Sequence, residues 1–204
     1  MSTINLQKGG KILLEKANES GTKLTHINVG LGWDMKPSAS TGSDFDLDAS
    51  VLCVGADGKA LPGGLLFYNS PKDAQGRPHI FGGALTHSGD NLTGAGDGDD
   101  EVIMIDLTKV PAEVQEMVVI VDVYQADSRG QNFGMAENSF CRLFNPNDNN
   151  TELIHFDLNF DASTATGVKF ARIFRKDSEW AFSADQVEFS GGLQKIIDEY
   201  AVTA

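Results

Sequence analysis

The stretch THINVGLGW, residues 25–33, alternates apolar side chains with polar or small ones. Its apolar members recur at every second position and are Ile27, Val29, Leu31 and Trp33. Successive side chains of an extended chain point to opposite faces, so this period of two predicts a β-strand with one buried face. The polar residues and two glycines would then occupy the other face.

Short segments of the same kind fill most of the chain. They are DFDLDASVLCV (44–54), GLLFYN (64–69), EVIMIDL (101–107), MVVIVDVY (117–124), SFCRLFN (139–145), ELIHFDL (152–158), VKFARIFRK (168–176) and EWAFSADQVEF (179–189). Turn-forming sequences such as ADGK (56–59) and NPNDNN (145–150) separate them. INLQKGGKILL (4–14) is expected to add a first strand at a sheet edge.

Two segments have the spacing of helices instead. KVPAEVQEM (109–117) has Pro111 near a candidate helix start, and GGLQKIIDEY (191–200) spaces its apolar residues for one helical face. Many short strands with one or two short helices predict an all-β fold. We expect a single-domain β-sandwich over residues 1–204, with mostly antiparallel strands and a C-terminal helix.

The balance of charge limits the ligands. The 204 residues include 16 basic and 29 acidic side chains, for a formal charge of −13. Nucleic acid and anionic membranes require basic surfaces, so neither is expected as a direct ligand, whereas cation binding is compatible with this charge. The opening segment MSTINLQKGGKILLEK (1–16) does not resemble a signal peptide, since it has no apolar central region, and no run approaches the ~18 apolar residues of a membrane span. We therefore expect a cytoplasmic protein, with Cys53 and Cys141 as buried free thiols.

Two acidic groups contain the candidate site residues. In SDFDLDAS (43–50), three Asp residues are two positions apart, so a strand would place their carboxylates on one face. In GDNLTGAGDGDDE (89–101), five carboxylates fall among glycines with no Lys or Arg between them. Carboxylates about 4 Å apart repel by about 4 kcal/mol at an effective dielectric of about 20. Such groups must be solvated, protonated or bound to a cation.

Calcium is the cation that these residues favour. Glycines allow a loop to curl, and curling would turn carboxylate and carbonyl oxygens inward, which is the ligand set that Ca²⁺ prefers. Zinc would require Cys or His ligands, and Mg²⁺ would require strict octahedral geometry. The EF-hand pattern fails because Ala49 stands where that loop needs Gly. A solvated acidic turn remains the alternative.

Five motifs resemble those of the tellurium-resistance TerD family of bacterial stress proteins. They are VGLGWD (29–34), DFDLDAS (44–50), FYN (67–69), GDNLTGAGDGDDE (89–101) and FGMAENSFCRL (133–143). The resemblance implies a β-sandwich that binds two Ca²⁺ ions through its acidic motifs. Carried over by position, the metal ligands would be Asp44, Asp46, Asp48, Asp90, Asn91, Asp97, Asp99, Asp100 and Glu101. Asp34 and Asp127 are weaker candidates.

The resemblance also implies a function in tellurite resistance and stress. Members of the family are cytoplasmic and work at the inner face of the membrane through other Ter proteins, among them the membrane protein TerC and TerB. The family has no established enzyme activity, so we expect a calcium-binding protein that acts through partners. Two alternatives remain open. One is a nucleotide-binding module in which calcium bridges phosphate, and the other is a calcium-dependent hydrolase with paired carboxylates.

Overall fold

The computed structural model describes residues 3–18, 23–36, 45–91, 98–157, 163–177 and 179–201. Two of the predicted metal ligands, Asp44 and Asp97, lie outside the described residues. The other seven lie within them.

The described chain forms thirteen strands and three α-helices. The strands are β1 Ile4–Asn5, β2 Lys11–Leu13, β3 His26–Met35, β4 Leu47–Val54, β5 Ala60–Leu66, β6 His79–Ile80, β7 Leu85–His87, β8 Glu101–Asp106, β9 Glu116–Val123, β10 Ala136–Asn145, β11 Thr151–Asp157, β12 Gly167–Lys176 and β13 Glu179–Phe189. The helices are α1 Leu14–Ala17, α2 Ala126–Arg129 and α3 Gly192–Tyr200.

The strands form two sheets. The seven-stranded sheet has the order β1-β11-β10-β3-β8-β7-β6, and the six-stranded sheet has the order β2-β13-β12-β9-β4-β5. Neighbouring strands pair antiparallel except β1 and β11, which are parallel. The all-β prediction is therefore confirmed, including its mostly antiparallel strands and its C-terminal helix.

The core lies between the sheets and is built by the alternation that the sequence shows. Ile27, Val29 and Leu31 of β3 are buried in the same apolar cluster as Val51 and Cys53 of β4. A buried Val or Leu side chain contributes about 1.5–3 kcal/mol, so this cluster is the main source of stability. Cys53 and Cys141 are both buried and free, as predicted.

Helix α3 covers part of the outer face of the six-stranded sheet. Its Ile196 is fully buried against Leu52 and Val54 of β4 and Val118 and Ile120 of β9. These four strand residues alternate with core residues, so both faces of the two strands are apolar near their centres. The helix thereby gives the outer face a second, smaller apolar cluster.

Two predictions about local structure were wrong. Residues 109–115 form turns, since Val114 donates to Pro111 while Gln115 donates to Val54 of the neighbouring strand. Strand β9 then begins at Glu116, so no helix spans 109–117. The segment 4–14 forms two strands rather than one, because β1 joins one sheet and β2 joins the other, both at sheet edges. No helix among the described residues is long and apolar enough to span a membrane.

Candidate metal centre

Strands β4 and β9 place acidic side chains together at one end of the sandwich. Leu47 and Ala49 point into the core, so Asp48 between them points to the opposite face, and Asp46 follows the same alternation. In the antiparallel register Asp48 lies directly opposite Asp122 of β9. The two strands thus bring carboxylates that are distant in sequence into one row.

Three carboxylates converge within this row and the loop that follows β7. Asp46, Asp48 and Asp90 each offer an oxygen, and these oxygens lie within 4.8 Å of one another. Asp46 is 2% and Asp48 5% exposed, whereas Asp90 opens to solvent. Asp48 makes no hydrogen bond or ion pair with any residue that the structure describes. A buried carboxylate without a partner is costly, so this position requires a proton or a cation.

The surroundings of Asp48 and Asp122 disfavour the ionised form of both carboxylates. Burial, and then the negative charge of Asp122, raise the pKa of Asp48 from 3.8 to about 9. Burial also raises the pKa of Asp122 to about 7, even though the Leu193 N–H at the start of α3 donates to this carboxylate. The Oδ1 atom of Asp122 is buried and has no hydrogen-bond partner in the described chain. Burial and the neighbouring negative charges thus favour the protonated form of Asp48 at neutral pH.

An arginine and two tyrosines line the rim. The Nη1 atom of Arg129 lies 3.9 Å from Asp46 Oδ2, and its guanidinium lies 4.8 Å from the centre of the Tyr124 ring. Tyr124 in turn packs edge-to-face on Tyr68, with ring centres 6.2 Å apart. Burial, and then the charge of Asp48, raise the pKa of the Tyr68 hydroxyl.

A buried Glu–His pair forms the back wall. Glu101 Oε2 accepts the Ala49 N–H at 2.6 Å and Glu101 Oε1 accepts the Asn91 N–H at 3.3 Å, so this carboxylate ties both acidic motifs together. His87 Nδ1 accepts the Gly89 N–H at 3.0 Å, which assigns its ring proton to Nε2. His87 Nε2 lies 3.4 Å from Glu101 Oε2. Both side chains are fully buried.

The other two acids of the 98–101 segment have protein partners. Asp100 accepts the Trp33 N–H at 2.9 Å and the Asn91 side-chain amide at 3.0 Å. Burial nevertheless raises the pKa of Asp100. Both oxygens of Asp99 accept hydrogen bonds from Arg142, each at 2.7 Å, in a bidentate ion pair. Asp99 therefore has its counter-charge within the protein.

The predicted ligands that the structure describes thus fall into two groups. The structure brings Asp46, Asp48 and Asp90 together as one carboxylate group, while the remaining described ligands hold the loops around it. Of the weaker candidates, Asp34 accepts a hydrogen bond from Asn138 at 2.9 Å, and Asp127 is an exposed residue of α2. Asp127 lines a pocket of about 440 Å³ together with Asp122.

Sequence reasoning missed Asp122 and the part played by His87. The signal for Asp122 was present, because it is the one acidic residue in the apolar run MVVIVDVY (117–124). Its position opposite Asp48 depends on strand register, which alternation does not reveal. His87 stands alone in the sequence, and its buried contact with Glu101 is visible only in three dimensions.

The donor set fits a hard divalent cation. All the converging side-chain donors are carboxylate oxygens, and a separation of 4.8 Å or less lets them contact one ion at Ca–O distances of about 2.3–2.6 Å. Nitrogen or sulfur ligands, which zinc prefers, are not in this group of three. The unpartnered carboxylate of Asp48 is the donor most in need of an ion.

Similar proteins match this chain over almost its whole length. The TerD domain model matches residues 1–200. The tellurium resistance protein TerD of Alcaligenes sp is 39% identical over 203 residues, with 99% of each chain covered. General stress protein 16U of Bacillus subtilis (strain 168) is 40% identical over 201 residues, with 98% of each chain covered.

Solved structures agree with the fold. A homologue of telluride resistance protein (TerD) from Streptomyces coelicolor A3(2) superposes with a TM-score of 0.65 at 19% identity. The match covers 86% of this chain and 96% of that one. A second crystal structure, of a protein of unknown function, superposes with a TM-score of 0.66 at 20% identity over the same shares of the two chains.

Proposed function

The chain belongs to the TerD domain family of tellurium-resistance and stress proteins, and we propose that it binds Ca²⁺ through Asp46, Asp48 and Asp90. The observation that carries this proposal is the carboxylate of Asp48, which is 5% exposed and has no partner in the described chain. A bound ion would supply the missing positive charge, and Asp122 could add a fourth carboxylate. Carbonyl oxygens and water would complete the six to eight ligands that Ca²⁺ takes.

The ion would serve structure and recognition rather than chemistry. It would neutralise the carboxylates and join the β4 end to the loop that carries Asp90, so a partner would meet an ordered surface only in the loaded state. We propose action without catalysis because the nearest base is poorly placed: His87 is fully buried, and Gly89 already donates to its Nδ1. A general base must reach the proton that it removes.

The partners and cellular location belong to the same proposal. The names of the similar proteins refer to tellurium resistance and to general stress. We propose that this chain likewise serves a stress response in the cytoplasm, at the inner face of the membrane, through other Ter proteins such as TerC and TerB. A rigid, calcium-loaded acidic end would be the surface that such partners recognise.

One observation favours a second candidate function. Arg129 lies 3.9 Å from Asp46 and so places a guanidinium beside the proposed ion. A cation and an arginine together can hold a phosphate, which would make the site a nucleotide-binding module bridged by calcium. Calorimetry with ATP and with cyclic AMP, each with and without Ca²⁺, separates the two. Heat only in the presence of calcium would support nucleotide binding.

Native mass spectrometry and thermal unfolding test the calcium proposal directly. We expect chelated protein to take up Ca²⁺ and its melting temperature to rise by several degrees, since a ligand at a hundredfold excess over Kd stabilises by about 2.7 kcal/mol. The same spectra count the ions and so test the expected number of two. Asp48→Asn should remove one ion and most of the rise.

The matched control is Asp57→Asn, in the turn between β4 and β5. In this exposed turn Asp57 accepts the Lys59 N–H at 3.1 Å, and Asn can accept the same bond. This variant should bind calcium as the wild type does. An unchanged melting temperature and no bound metal in the wild type would overturn the proposal.

A further inference from the structure

A basic groove lies at the end of the six-stranded sheet away from the acidic site. It has a volume of about 410 Å³ and runs beside β2, α1 and the turn between β12 and β13. Its lining residues are Lys11, Ile12, Leu13, Lys16, Phe174, Lys176 and Ala181. All three lysines are exposed, and the lining contains no acidic residue. We call this feature the β2 groove.

The floor of the β2 groove is apolar because of strand register. Leu13 of β2 lies opposite Ala181 of β13, and Ala181 lies opposite Phe174 of β12. The three side chains therefore form one row across the sheet. Since alanine is the smallest of them and stands in the middle, the row leaves a depression between Leu13 and Phe174. Both of these flanking side chains are half-buried.

The lysines of the groove have no ion-pair partners in the part of the chain that the structure describes. Three acids are neighbours in sequence or register: Glu15, whose carboxylate accepts the Leu24 N–H, Asp177, which follows Lys176, and Glu179, which is opposite Lys176 in the hairpin. None of the three forms a salt bridge with a groove lysine among the described contacts, and none lines the groove. Some basic groups elsewhere are paired, as Lys109 is with Asp106, and others, such as Lys59, have no ion-pair partner among the described residues. The β2 groove differs in that three such lysines line one depression, in a chain of net charge −13.

Strand β2 also has an open edge. It is the last strand of its sheet, and β13 is its strand neighbour. Alternate N–H and C=O groups of an antiparallel edge strand face outward, where an added strand can pair with them. Lysines on such an edge repel basic strands and attract acidic ones, so they select the occupant as well as limit aggregation.

We propose that the β2 groove docks an extended, acidic segment of a partner protein, with one apolar side chain seated between Leu13 and Phe174. Charge complementarity fixes the chemistry of the flanking residues, and the concave floor fixes the central one. The backbone edge of β2 would supply the main-chain hydrogen bonds that strand addition uses. The recessed floor can receive a side chain from a peptide. Insertion into lipid would instead require apolar groups that protrude from the surface.

Fluorescence anisotropy with labelled synthetic peptides tests this inference on the full chain in chelator, so that the result is independent of calcium. We expect the probe Glu-Glu-Leu-Glu-Glu to bind at low salt, and the probes Lys-Lys-Leu-Lys-Lys and Glu-Glu-Gly-Glu-Glu to bind at least about tenfold more weakly. Affinity should fall as salt screens the lysines. Equal binding of the leucine and glycine probes would overturn the role of the apolar floor.

Two charge-matched triple variants locate the binding. Lys11→Glu/Lys16→Glu/Lys176→Glu reverses the groove, and Lys59→Glu/Lys72→Glu/Lys195→Glu makes the same change in charge elsewhere. We expect at least a tenfold loss of affinity for the first and little change for the second. Equal losses of affinity would show that the net charge of the protein, and not the β2 groove, determines peptide binding. Vesicles containing phosphatidylglycerol serve as a third probe, and groove-dependent binding to them without peptide binding would replace the protein partner by a lipid surface.

Discussion

At the scale of single residues, some members of the acidic site could be predicted from the sequence and others could not. The alternation of Asp46, Leu47 and Asp48 predicted that the two carboxylates share a face, and they do. Alternation within a strand is local, so one segment suffices to predict it. Asp122 reaches the same site through the pairing of β4 with β9, which joins residues more than seventy positions apart. Register of that kind is set by tertiary packing and cannot be read from either strand alone.

Asp48 makes the stability of the calcium-free protein depend on pH. Its folded pKa of about 9 lies above the ordinary value of 3.8, so the folded state holds a proton that the unfolded state releases. In chelator, the contribution of Asp48 is therefore most favourable below about pH 4 and is lost progressively as pH rises toward 9. Asp48→Asn should flatten this part of the profile and stabilise the chelated protein at pH 7 by up to about 4 kcal/mol, the cost of keeping Asp48 protonated about three pH units above its ordinary pKa.

Urea unfolding of both proteins between pH 4 and pH 9 measures this difference. Saturating calcium should oppose the loss in the wild type, because a cation stabilises the ionised carboxylate. It should have much less effect on Asp48→Asn. Parallel stability profiles for the two chelated proteins would contradict the assigned environment of Asp48.

The two thiols provide a second prediction at this scale. Burial raises the pKa of both Cys53 and Cys141 to about 12, so neither forms thiolate at neutral pH. Reactivity follows thiolate and access, and we expect Ellman's reagent to label the native protein at least about a hundredfold more slowly than the unfolded one. Two equivalents should react in guanidinium chloride. Rapid labelling of one equivalent in the native state would contradict this.

At the scale of elements, β3 shows what alternation leaves unexplained. The sequence predicted its buried face correctly, but the residues on its other face include two glycines that the pattern does not require. The structure gives their reason. A Cβ on Gly30 would touch the Asp99 carboxylate, and one on Gly32 would touch the Phe140 ring and come within 2.7 Å of the Gly98 carbonyl oxygen. The glycines therefore let the acidic loop and β10 lie close over β3.

Gly30→Ala should destabilise the protein by about 1–3 kcal/mol, because the added methyl group displaces Asp99 from Arg142. The same substitution in an Asp99→Ala background removes the clash, so its cost there should be clearly smaller. Chemical denaturation of the four proteins gives this coupling as a double-mutant cycle. Additive costs would mean that Gly30 is not required for the Asp99–Arg142 pair.

The two wrong predictions also belong to this scale. The 109–117 segment has helical spacing, but it is short, and its polar backbone groups find partners in neighbouring elements, as when Arg175 Nε donates to the Val114 carbonyl at 2.9 Å. A short helix is marginal without packing, so such contacts decide its conformation. In the first segment, Gly9 with φ of 83° turns the chain between the two sheets. Strand propensity alone gave no reason to divide it.

At the scale of the whole molecule, charge is distributed unequally over the six-stranded sheet. The proposed calcium site lies where β9 ends at Val123, and the β2 groove lies near the opposite end of the sheet, at Lys176. The family and its fold could be recognised from the motifs, and the full-length match confirms that recognition. That residues 1–204 form a single calcium-binding domain remains a prediction, as does the number of ions.

Net charge gives the last prediction. A chain of charge −13 repels itself, and its carboxylates are crowded at one site, so screening should stabilise the calcium-free protein. At about pH 9, where Asp48 ionises in the folded state, raising NaCl from about 0.05 M to about 0.5 M should increase the melting temperature in chelator by about 2–5 °C. With calcium bound the strongest repulsion is already neutralised, so the same salt step should have a smaller effect.

The Asp46→Asn/Asp48→Asn/Asp90→Asn variant should behave like the calcium-loaded wild type even in chelator, since it lacks the charges that the ion would balance. Differential scanning calorimetry of both proteins with and without calcium makes the comparison, and an equal salt effect in all four samples would show that the crowded carboxylates are not the source of the repulsion.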